Sequence, residues 1–265
     1  MTGTSAQTVH SPARVLLVDG FNLVRRIYEA RPDDAPNIED VGEAATKSLQ
    51  RALRAHRPSH GVVVFEDHDR TWRHLLYADY KGDRKPTPAP LLQGIPAITE
   101  QFETLGILAF SLPNYEADDV IATLTAGIKR AGGEALILST DKSYLQMLGP
   151  GVRVFNHFNQ TEYLAADVVD RYDVKIAQLT DYWALMGDSS NNIKGVPKIG
   201  KKSAAELLHR YDGLTEILSA EDEDAKVRRV QADAPLASRC KQLVTLKQDV
   251  ELGINLKTFR LSLDI

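Results

Sequence analysis

Val15-Leu-Leu-Val-Asp19 is the stretch that decides the fold of this 265-residue chain, because four apolar residues run directly into a carboxylate. Val62-Val-Val-Phe-Glu66 repeats the pattern, and Ala135-Leu-Ile-Leu138 is a third apolar run of the same length. Short, nearly continuous apolar runs are typical of strands that are covered on both faces of a parallel sheet. The sequence therefore predicts at least three buried strands.

Helical periodicity separates these runs. Val41 to His56, Ala97 to Leu105 and Ala117 to Ala131 carry apolar residues at helical spacing, and Gly132-Gly133 is a typical stop after the last of them. Alternating strands and helices predict an α/β fold with a parallel sheet. Asp67 to Pro96 has no such period and is rich in charge and proline, so we expect an active-site loop, lid or partly ordered arch there.

Composition bounds the class of protein. Hydrophobic residues make up 43% of the chain and charged residues 26%, which is ordinary for a soluble globular protein. No apolar run approaches the roughly 20 residues of a membrane helix, and residues 1–13 form a polar tail without the features of a secretory signal. The single cysteine, Cys240, excludes an internal disulfide. We therefore expect a cytoplasmic protein with no membrane partner and a disordered N-terminal tail.

Charge is distributed unevenly along the chain. The net charge of −4 does not suggest a nucleic-acid binder, since such domains are usually basic. Lys and Arg nevertheless gather in two stretches, Arg70 to Lys85 and Lys194 to Lys202. A protein that holds phosphate with one surface and metal with another would show this separation.

Acidic residues follow every predicted strand. Strand ends of an open α/β sheet meet at one edge, so their acids should converge, together with those of Tyr115-Glu-Ala-Asp-Asp119 at a helix start. The set is Asp19, Glu66, Asp67, Glu116, Asp118, Asp119 and Asp141. Any one of them could instead be a turn former or a helix first-turn acid. As a group, however, they would repel one another unless a cation neutralised them, and oxygen ligands alone favour Mg²⁺ or Mn²⁺ and hydrolysis of a phosphodiester.

Eight motifs, in order, resemble the bacterial and phage 5′-nucleases. That family includes the N-terminal domain of DNA polymerase I, and the similarity is greatest to its stand-alone exonuclease IX-like flap endonucleases. The motifs are Leu17-Val-Asp-Gly-Phe-Asn22, Phe65-Glu-Asp67, Trp72-Arg-His74, Asp79-Tyr-Lys-Gly-Asp-Arg84, Tyr115-Glu-Ala-Asp-Asp119, Ser139-Thr-Asp-Lys142, Gly187-Asp188 and Gly195-Val-Pro-Lys-Ile-Gly-Lys-Lys-Ser203. The resemblance covers about Arg14 to Leu252. It implies a PIN-like parallel-sheet nuclease core with a helical arch at residues 14–180, and a helical DNA-binding domain of the helix-three-turn-helix type at 181–265.

The resemblance also implies roles for particular side chains. The metal ligands it implies are Asp19, Glu66, Glu116, Asp118 and Asp141, with Asp119 and Asp188 at neighbouring positions and Asp67 as the alternative to Glu66. The catalytic residues it implies, on or beneath an arch that a single-stranded 5′ end would thread, are Arg73, Tyr80, Lys81 and Arg84. A lysine close to metals can stabilise charge on a scissile phosphate, and an aromatic ring can stack an unpaired base.

The segment Gly195 to Ser203 resembles the hairpin of a helix-three-turn-helix, with its second helix beginning at about Lys201. Amide groups at that helix start and the neighbouring lysines would hold a duplex phosphate without reading sequence. The DNA-binding residues implied are Lys198, Ile199, Gly200, Lys201, Lys202 and Ser203. The resemblance also implies a K⁺ site made by the carbonyls of Leu185, Met186, Lys194, Val196 and Ile199. A capped glycine-rich turn with no ligand is the alternative.

Three positions depart from the family pattern. Glu66 stands where the family has Asp, and Ser143 and Asn191 stand where many members have further aspartates. The first metal set is thus complete, whereas the second has lost two carboxylates.

The function expected is a structure-specific 5′ flap endonuclease and 5′-3′ exonuclease that uses Mg²⁺ or Mn²⁺ on DNA with a 5′ flap or single-stranded 5′ end. We expect a monomer associated with the bacterial nucleoid that depends on a separate polymerase and ligase. One alternative is a flap-binding protein with weak or no nuclease activity, which Ser143 and Asn191 would explain. The other is a ribonuclease with a similar acidic core, against which the hairpin motif counts.

Overall fold

The protein is described here by a computed structural model that covers residues 12–32, 37–66 and 70–262. Asp67, one of the two alternatives for the metal ligand after the second strand, lies outside the described residues. The predicted N-terminal tail also lies outside them up to residue 11.

Six strands form one sheet in the order β3-β2-β1-β4-β5-β6. They are β1 Arg14–Asp19, β2 His60–Val64, β3 Leu108–Phe110, β4 Glu134–Leu138, β5 Val152–Asn156 and β6 Thr161–Tyr163. All neighbours pair in parallel except β5 and β6, which are antiparallel. The three predicted strands are confirmed as β1, β2 and β4, the centre of the sheet.

The register of the central strands brings their ends to one level. Val18 of β1 lies opposite Val63 of β2 and Leu138 of β4. The residues that follow these positions, including Asp19, therefore emerge side by side at the carboxyl edge of the sheet. This edge is where the acids of the sequence motifs were expected to meet.

Eleven α-helices lie in the described part of the chain. They are α1 Gly20–Glu29, α2 Ile38–His56, α3 Trp72–Leu76, α4 Ala89–Glu103, α5 Ala117–Arg130, α6 Ala165–Tyr172, α7 Leu179–Met186, α8 Lys201–Arg210, α9 Leu214–Ser219, α10 Ala225–Ala232 and α11 Ala234–Val244. Helices α1, α2 and α4 pack on one face of the sheet, and α5 packs on the other. Alternate residues of each strand point to opposite faces, so each face has its own apolar contacts with the helices. None of the helices in the described ranges is long and apolar enough to cross a bilayer.

The predicted helices are present, with one change of extent. After α5, Gly132 has a φ of 73° and the N–H of Gly133 donates to the Ile128 carbonyl at 2.9 Å, so the predicted stop is confirmed. The expectation that Asp67 to Pro96 lacks regular structure is wrong in part, because α3 and the first half of α4 lie within this segment. Its prolines misled the prediction, because Pro90 occupies the first turn of α4, where no amide hydrogen bond is needed.

Helices α7 to α11 form a separate core that abuts the carboxyl edge of the sheet. Buried residues of these helices share one apolar cluster with Tyr80 and with Leu145, which lies in a 3₁₀ helix at Lys142–Met147. The helical region is thereby fixed against the strand ends. The fold is an α/β nuclease-type core with a C-terminal helical region, as the sequence predicted.

Candidate active site

The Asp19 carboxylate lies where β1 passes into α1. It caps that helix by accepting the N–H of Asn22 at 3.1 Å, and it also accepts the Ser139 hydroxyl at 2.9 Å. The same Ser139 oxygen accepts the backbone N–H of Asp141 at 3.0 Å. Ser139 thus ties two of the expected metal ligands together. Sequence reasoning gave it no role, although a small hydroxyl residue at a strand end was the available signal.

Asp118 lies in the first turn of α5 and is held by two hydroxyl donors. Tyr144 donates at 2.8 Å and Ser143 at 3.2 Å, while the backbone N–H of Ser143 donates to Asp141 at 2.8 Å. Ser143 therefore supplies neutral donors at one of the positions that depart from the expected family pattern. Tyr144 is fully buried and was also missed, since nothing in the local sequence connects it with Asp118.

The carboxyl groups of Asp19 and Asp118 are electrostatically unfavourable as anions. Burial raises the pKa of Asp19 to about 7, and the charges of Asp141 and Glu66 add to that shift. Burial likewise raises the pKa of Asp118 well above its usual value, with Asp141 and Asp19 contributing. Among the described residues, Asp19, Asp118 and Asp141 make no salt bridge. These three acids form what we call the acidic cleft.

The acidic cleft is open to solvent, with a volume of about 160 Å³, and Glu66 and Lys81 also line it. Within the described ranges, no three acidic, histidine or cysteine side chains stand at metal-ligand spacing. The structure therefore brings four of the expected ligands, Asp19, Glu66, Asp118 and Asp141, to one cleft without a finished coordination sphere. Glu66 reaches this cleft, with its carboxylate 3.8 Å from the Lys81 Nζ.

Glu116 differs from the three acids of the cleft because cations neutralise it. Its buried carboxylate accepts Lys81 Nζ at 2.6 Å, Arg73 Nη1 at 2.8 Å and the Tyr80 hydroxyl at 3.0 Å. Burial alone would raise the pKa of Glu116, but the charges of Lys81 and Arg73 outweigh burial and lower it. Glu116 is consequently an ionised anchor for the Lys81 ammonium.

Asp119 was expected at a neighbouring ligand position, and the structure gives it other partners. Its carboxylate is 0% exposed and accepts two hydrogen bonds from Arg73 at 2.7 and 2.8 Å, one from the Trp72 indole at 2.8 Å and one from the N–H of Lys247 at 2.9 Å. Protein donors thus occupy both of its oxygens. Asp119 is therefore a partner of Arg73 in this structure, and its role as a metal ligand stays a prediction.

Arg73 and Tyr80 were expected to be catalytic, and both are buried. Arg73 is 2% exposed and also donates to the carbonyl of Leu243 at 2.8 Å, so it links α3, α5 and α11. Tyr80 is 4% exposed, and its ring packs edge-on against His74 with centroids 5.4 Å apart. The buried Tyr80 ring has little exposed surface for an unpaired base in this structure, and its catalytic role stays a prediction. Both residues donate hydrogen bonds to Glu116 and so fix its position.

Lys81 is presented by an unusual backbone conformation, with a φ of 56°. Burial alone would lower the pKa of Lys81, but the neighbouring oxygens of Tyr80, Glu116 and Glu66 outweigh it and raise the pKa. The ammonium is therefore charged at the edge of the acidic cleft. Its location agrees with the role expected for it.

Arg84 connects the predicted arch to the C-terminal region. Its guanidinium donates to the Ser190 carbonyl at 2.9 Å and to the Asn191 side chain at 2.8 Å. The backbone N–H of Lys81 donates to the Asn191 carbonyl at 3.0 Å. The turn that carries Lys81 and Arg84 is closed onto residues 189–192 by these bonds. Arg84 also lines the acidic cleft.

Asp188 lies across a larger cavity from the acidic cleft. Its carboxylate accepts the Asn191 amide at 2.5 Å and the Ser190 hydroxyl at 2.6 Å. Asn191 is a donor here, whereas many family members have an aspartate. The cavity has a volume of about 450 Å³, and Asp118 and Asp141 line its opposite wall.

The cavity ends at the beginning of α8. Lys201, the first residue of that helix, lines it together with Arg171 and Tyr172 of α6. The predicted helix start at Lys201 is confirmed. An anion that occupied this cavity would lie between the acidic cleft and the basic helix start, as expected for a phosphate chain that crosses the site.

Two glycines allow the hairpin before α8 to close. A Cβ at Gly187, where φ is 90°, would lie 2.5 Å from the Ile193 carbonyl oxygen, and a Cβ at Gly195, where φ is 66°, would lie 2.7 Å from the Leu185 oxygen. Only glycine fits such approaches. The N–H of Val196 donates to the Leu185 carbonyl at 2.9 Å across this contact.

The residues expected to contact K⁺ or DNA lie at the end of α7, on this hairpin or at the start of α8. The potassium set is Leu185, Met186, Lys194, Val196 and Ile199, and the DNA set is Lys198, Ile199, Gly200, Lys201, Lys202 and Ser203. Lys198, Lys201 and Lys202 are exposed, whereas Ile199 is buried in the helical core. The three lysines form a basic surface beside the cavity.

Two family models together match almost the whole chain. Residues 14–173 match the 5′-3′ exonuclease N-terminal resolvase-like domain, and residues 174–263 match the 5′-3′ exonuclease C-terminal SAM fold. Flap endonuclease Xni of Psychromonas ingrahamii is 41% identical over 255 residues, covering 93% of this chain and 96% of the relative. Flap endonuclease Xni of Vibrio cholerae is 39% identical over 250 residues, with coverages of 93% and 96%.

Solved structures share the fold at lower identity. The T5 D15 protein co-crystallised with metal ions has a TM-score of 0.75 and 21% identity, and the match covers 87% of this chain and 88% of that protein. The catalytic core of Rad2 in complex with DNA substrate has a TM-score of 0.60 and 14% identity, covering 95% and 82%. The two matching domain models, and relatives of about 40% identity along nearly the whole length, show that this chain belongs to the 5′-3′ exonuclease family.

Proposed function

We propose that this protein is a metal-dependent nuclease that hydrolyses DNA phosphodiester bonds beside a 5′ flap or a single-stranded 5′ end. The observation that carries the proposal is the acidic cleft, in which Asp19, Asp118 and Asp141 are held together without a cationic partner among the described residues. Its membership of the 5′-3′ exonuclease family and its similarity to flap endonucleases give the class of substrate.

The donor set of the cleft fits a divalent cation. Its side chains offer oxygen atoms only, which suits Mg²⁺ or Mn²⁺ better than zinc. Burial raises the pKa values of Asp19 and Asp118 and the neighbouring acids add to the shift, so a bound cation would stabilise the ionised forms. Asp19, Asp118 and Asp141 would hold the ion, with Glu66 or Asp67 beside them. Bound there, it supplies the charge that activates water and polarises the phosphodiester.

Lys81 supplies the protein's own positive charge at the reacting phosphate. Glu116 fixes its ammonium at 2.6 Å, and Arg73 and Tyr80 fix Glu116 from below. A charge that is already oriented needs no reorganisation as negative charge develops on the phosphate oxygens. Lys81 is therefore the catalytic cation, Arg73 and Tyr80 are positioning residues, and Arg84 secures the turn that carries Lys81.

The hairpin before α8 is the proposed duplex contact. Lys198, Lys201 and Lys202 present charge to a phosphate backbone, and the amide groups at the start of α8 point toward it. Backbone carbonyls of the same hairpin are the proposed K⁺ ligands. The cavity that runs from Lys201 to Asp118 and Asp141 supports a path from the bound duplex to the acidic cleft.

We propose that residues 14–180 form the catalytic domain and that residues 181–265 form the DNA-binding domain. We further propose that the chain acts as a monomer on chromosomal DNA in the bacterial cytoplasm. Its products, a cut flap and a nick or gap, require a separate polymerase and ligase for completion.

A second candidate function is flap binding without efficient cleavage. Ser143 and Asn191 donate hydrogen bonds to Asp118 and Asp188, where many family members add carboxylates of their own. Fewer anionic ligands weaken a second ion site, and two-ion sites stabilise both the attacking and the leaving oxygens. Tight flap binding with no product at any Mg²⁺ or Mn²⁺ concentration would establish this alternative.

Cleavage of a labelled 5′-flap duplex, with metal titration, tests the proposal. Asp118→Ala should abolish product while flap affinity, measured in EDTA, changes less than about threefold, because one ligand acid and not a DNA contact is removed. Asp212→Ala, an exposed aspartate in the turn after α8, is the matched control and should cleave normally. Full cleavage by Asp118→Ala would refute the proposed site. A matched RNA flap identifies a ribonuclease instead.

A further inference from the structure

A second recess, distant in sequence from the acid motifs, lies between α2 and the turn that joins β5 to β6. Its volume is about 580 Å³. Four of the described residues around it carry basic side chains, Lys47, Arg51, His56 and His157, and none of the described residues around it is acidic. We call it the α2 recess.

Arginines at the α2 recess and at its approach have no acidic partner. Arg51 of α2 is 3.4 Å from the Ser48 hydroxyl, and Arg26 of α1 is 3.4 Å from the Thr140 hydroxyl. Neither forms a salt bridge within the described ranges. A guanidinium without a carboxylate retains its paired donors for another anion, and phosphate matches that geometry.

An exposed aromatic ring stands between the two arginines. Phe158 is 40% exposed, which is unusual for a large apolar side chain, and the Arg26 Cζ lies 5.0 Å from its ring centroid. The N–H of Phe158 donates to the Asn156 side chain at 3.1 Å, so the turn holds the ring in place. A fixed ring beside a guanidinium is suited to stacking a nucleobase.

The floor of the α2 recess is rigid. Ser48 and His157 are both buried and hydrogen-bonded to each other, which joins α2 to the β5-β6 turn. The amide of Gln160 donates to the His157 carbonyl at 2.5 Å and fixes the same turn. The basic side chains therefore lie on α2 and on the β5-β6 turn, two elements that this hydrogen bond holds at a fixed separation.

Shared lining residues link the α2 recess to the acidic cleft. Arg26 lines the cleft at one end and contacts Phe158 at the other. A small gap between them is lined by Asn22, Thr140 and Phe158, directly beside the loop that carries Asp141. A strand leaving the cleft on this side would pass Thr140 and meet the Phe158 ring before it reached Arg51.

We propose that the α2 recess binds the phosphodiester backbone of a DNA strand that continues out of the acidic cleft. A base of that strand stacks on Phe158, and a phosphate pairs with Arg51. This inference rests on the proposed function, since DNA must occupy the cleft. It adds a contact surface that shares no lining residue with the cavity at the start of α8.

Equilibrium binding tests the proposal without requiring cleavage. Affinity for a fluorescent 5′-flap duplex is measured by anisotropy in EDTA for the full chain, Arg51→Gln, Phe158→Ala and the control Arg54→Gln. Arg54 is exposed on the same helix but does not line the recess. Arg51→Gln and Phe158→Ala should each weaken binding by about five- to tenfold, as expected for one phosphate pair or one stacked base, and Arg54→Gln by less than about twofold.

Salt dependence and DNA length sharpen the result. The slope of log affinity against log salt should fall in magnitude by about one for Arg51→Gln and stay unchanged for Phe158→Ala, since only the arginine releases a counterion. The loss of affinity caused by Arg51→Gln should disappear when the DNA is shortened so that the strand no longer extends beyond the cleft. Excess inorganic phosphate should not abolish the difference between Arg51→Gln and the full chain, because a strand contacts the ring as well as the cations.

Equal affinities for Arg51→Gln and Arg54→Gln, in variants with unchanged thermal unfolding, would overturn the proposal. A defect that persists on trimmed DNA would do the same, because it would locate the arginine's effect elsewhere. The full chain could bind the flap more tightly than Arg51→Gln and Phe158→Ala and still cut no DNA. That result would refute the proposed nuclease function but support DNA binding at the α2 recess. The two failures are therefore distinguishable.

Discussion

The Nζ atom of Lys81 lies 2.6 Å from the Oε1 atom of Glu116, and this pair divides the acids of the site into two kinds. Glu116 is neutralised within the protein, whereas Asp19, Asp118 and Asp141 are not. The lysine is thus oriented before any substrate arrives, and the remaining acids are left for a cation.

Replacing the oriented ammonium should slow the chemical step. Lys81→Ala should lower kcat by about 100-fold with little change in flap affinity, because the lost charge acts mainly on the transition state. Lys85→Ala, an exposed lysine four residues on, is the matched control and should retain nearly full activity. Single-turnover cleavage together with anisotropy separates the two effects. A loss confined to affinity would mean that Lys81 is only a DNA contact.

Removing the buried guanidinium should destabilise the fold. Arg73→Ala leaves Asp119 buried without its counter-ion and leaves Glu116 with Lys81 alone, and the loss of a buried counter-ion costs about 3–5 kcal/mol. Urea unfolding measures it, with the exposed Arg70→Ala as the control. A change below about 1 kcal/mol would show that the Arg73 bonds to Asp119 contribute little net stability.

The acidic cleft should make stability depend on pH and on metal. The pKa of Asp19 is raised from 3.8 to about 7, so the folded protein binds this proton more tightly than the unfolded chain. The contribution is therefore fully present below 3.8 and is lost as pH rises through about 7. In EDTA, Tm should fall across that window, and Asp19→Asn should flatten the fall.

A divalent cation should reverse this dependence. Mg²⁺ favours the ionised carboxylates, so its stabilising effect on Tm should grow as pH rises from about 5 to about 8. Asp19→Asn should lose most of that effect. An equal Mg²⁺ effect in the variant, or none in the full chain, would argue against a cation among these acids.

Restoring a carboxylate at position 143 should strengthen the need for metal. Ser143→Asp places an anion beside Asp118 and Asp141, so Tm in EDTA should fall while cleavage at limiting Mg²⁺ should rise by about tenfold, since ligand charge increases ion affinity. Ser219→Asp, on the exposed end of α9, controls for added charge. If Ser143→Asp and Ser219→Asp respond alike to Mg²⁺, the absence of an acid at 143 does not limit the site.

The family motifs and the strand ends were predictable because their signals are local. Val15 to Val18 reads as a buried strand from its own side chains, and the turn into Asp19 follows immediately. The start of α8 at Lys201 was likewise predictable, because Gly195 and Gly200 bracket the turn that precedes it. The short strands β3 and β6 were missed because three residues carry too little pattern, and the helices inside 67–96 because proline hid them.

What the sequence by itself determined is the three central strands of the sheet, the acids at their carboxyl ends and the family. Only the tertiary structure decided which acids are neutralised. Asp119 and Asp118 are neighbours in the chain, yet one meets Arg73, which is 46 positions away, and the other meets Tyr144, which is 26 positions away. Periodicity and motif spacing report on residues within a few turns of each other. The charge state of a buried carboxylate depends on partners that only the folded packing brings into contact.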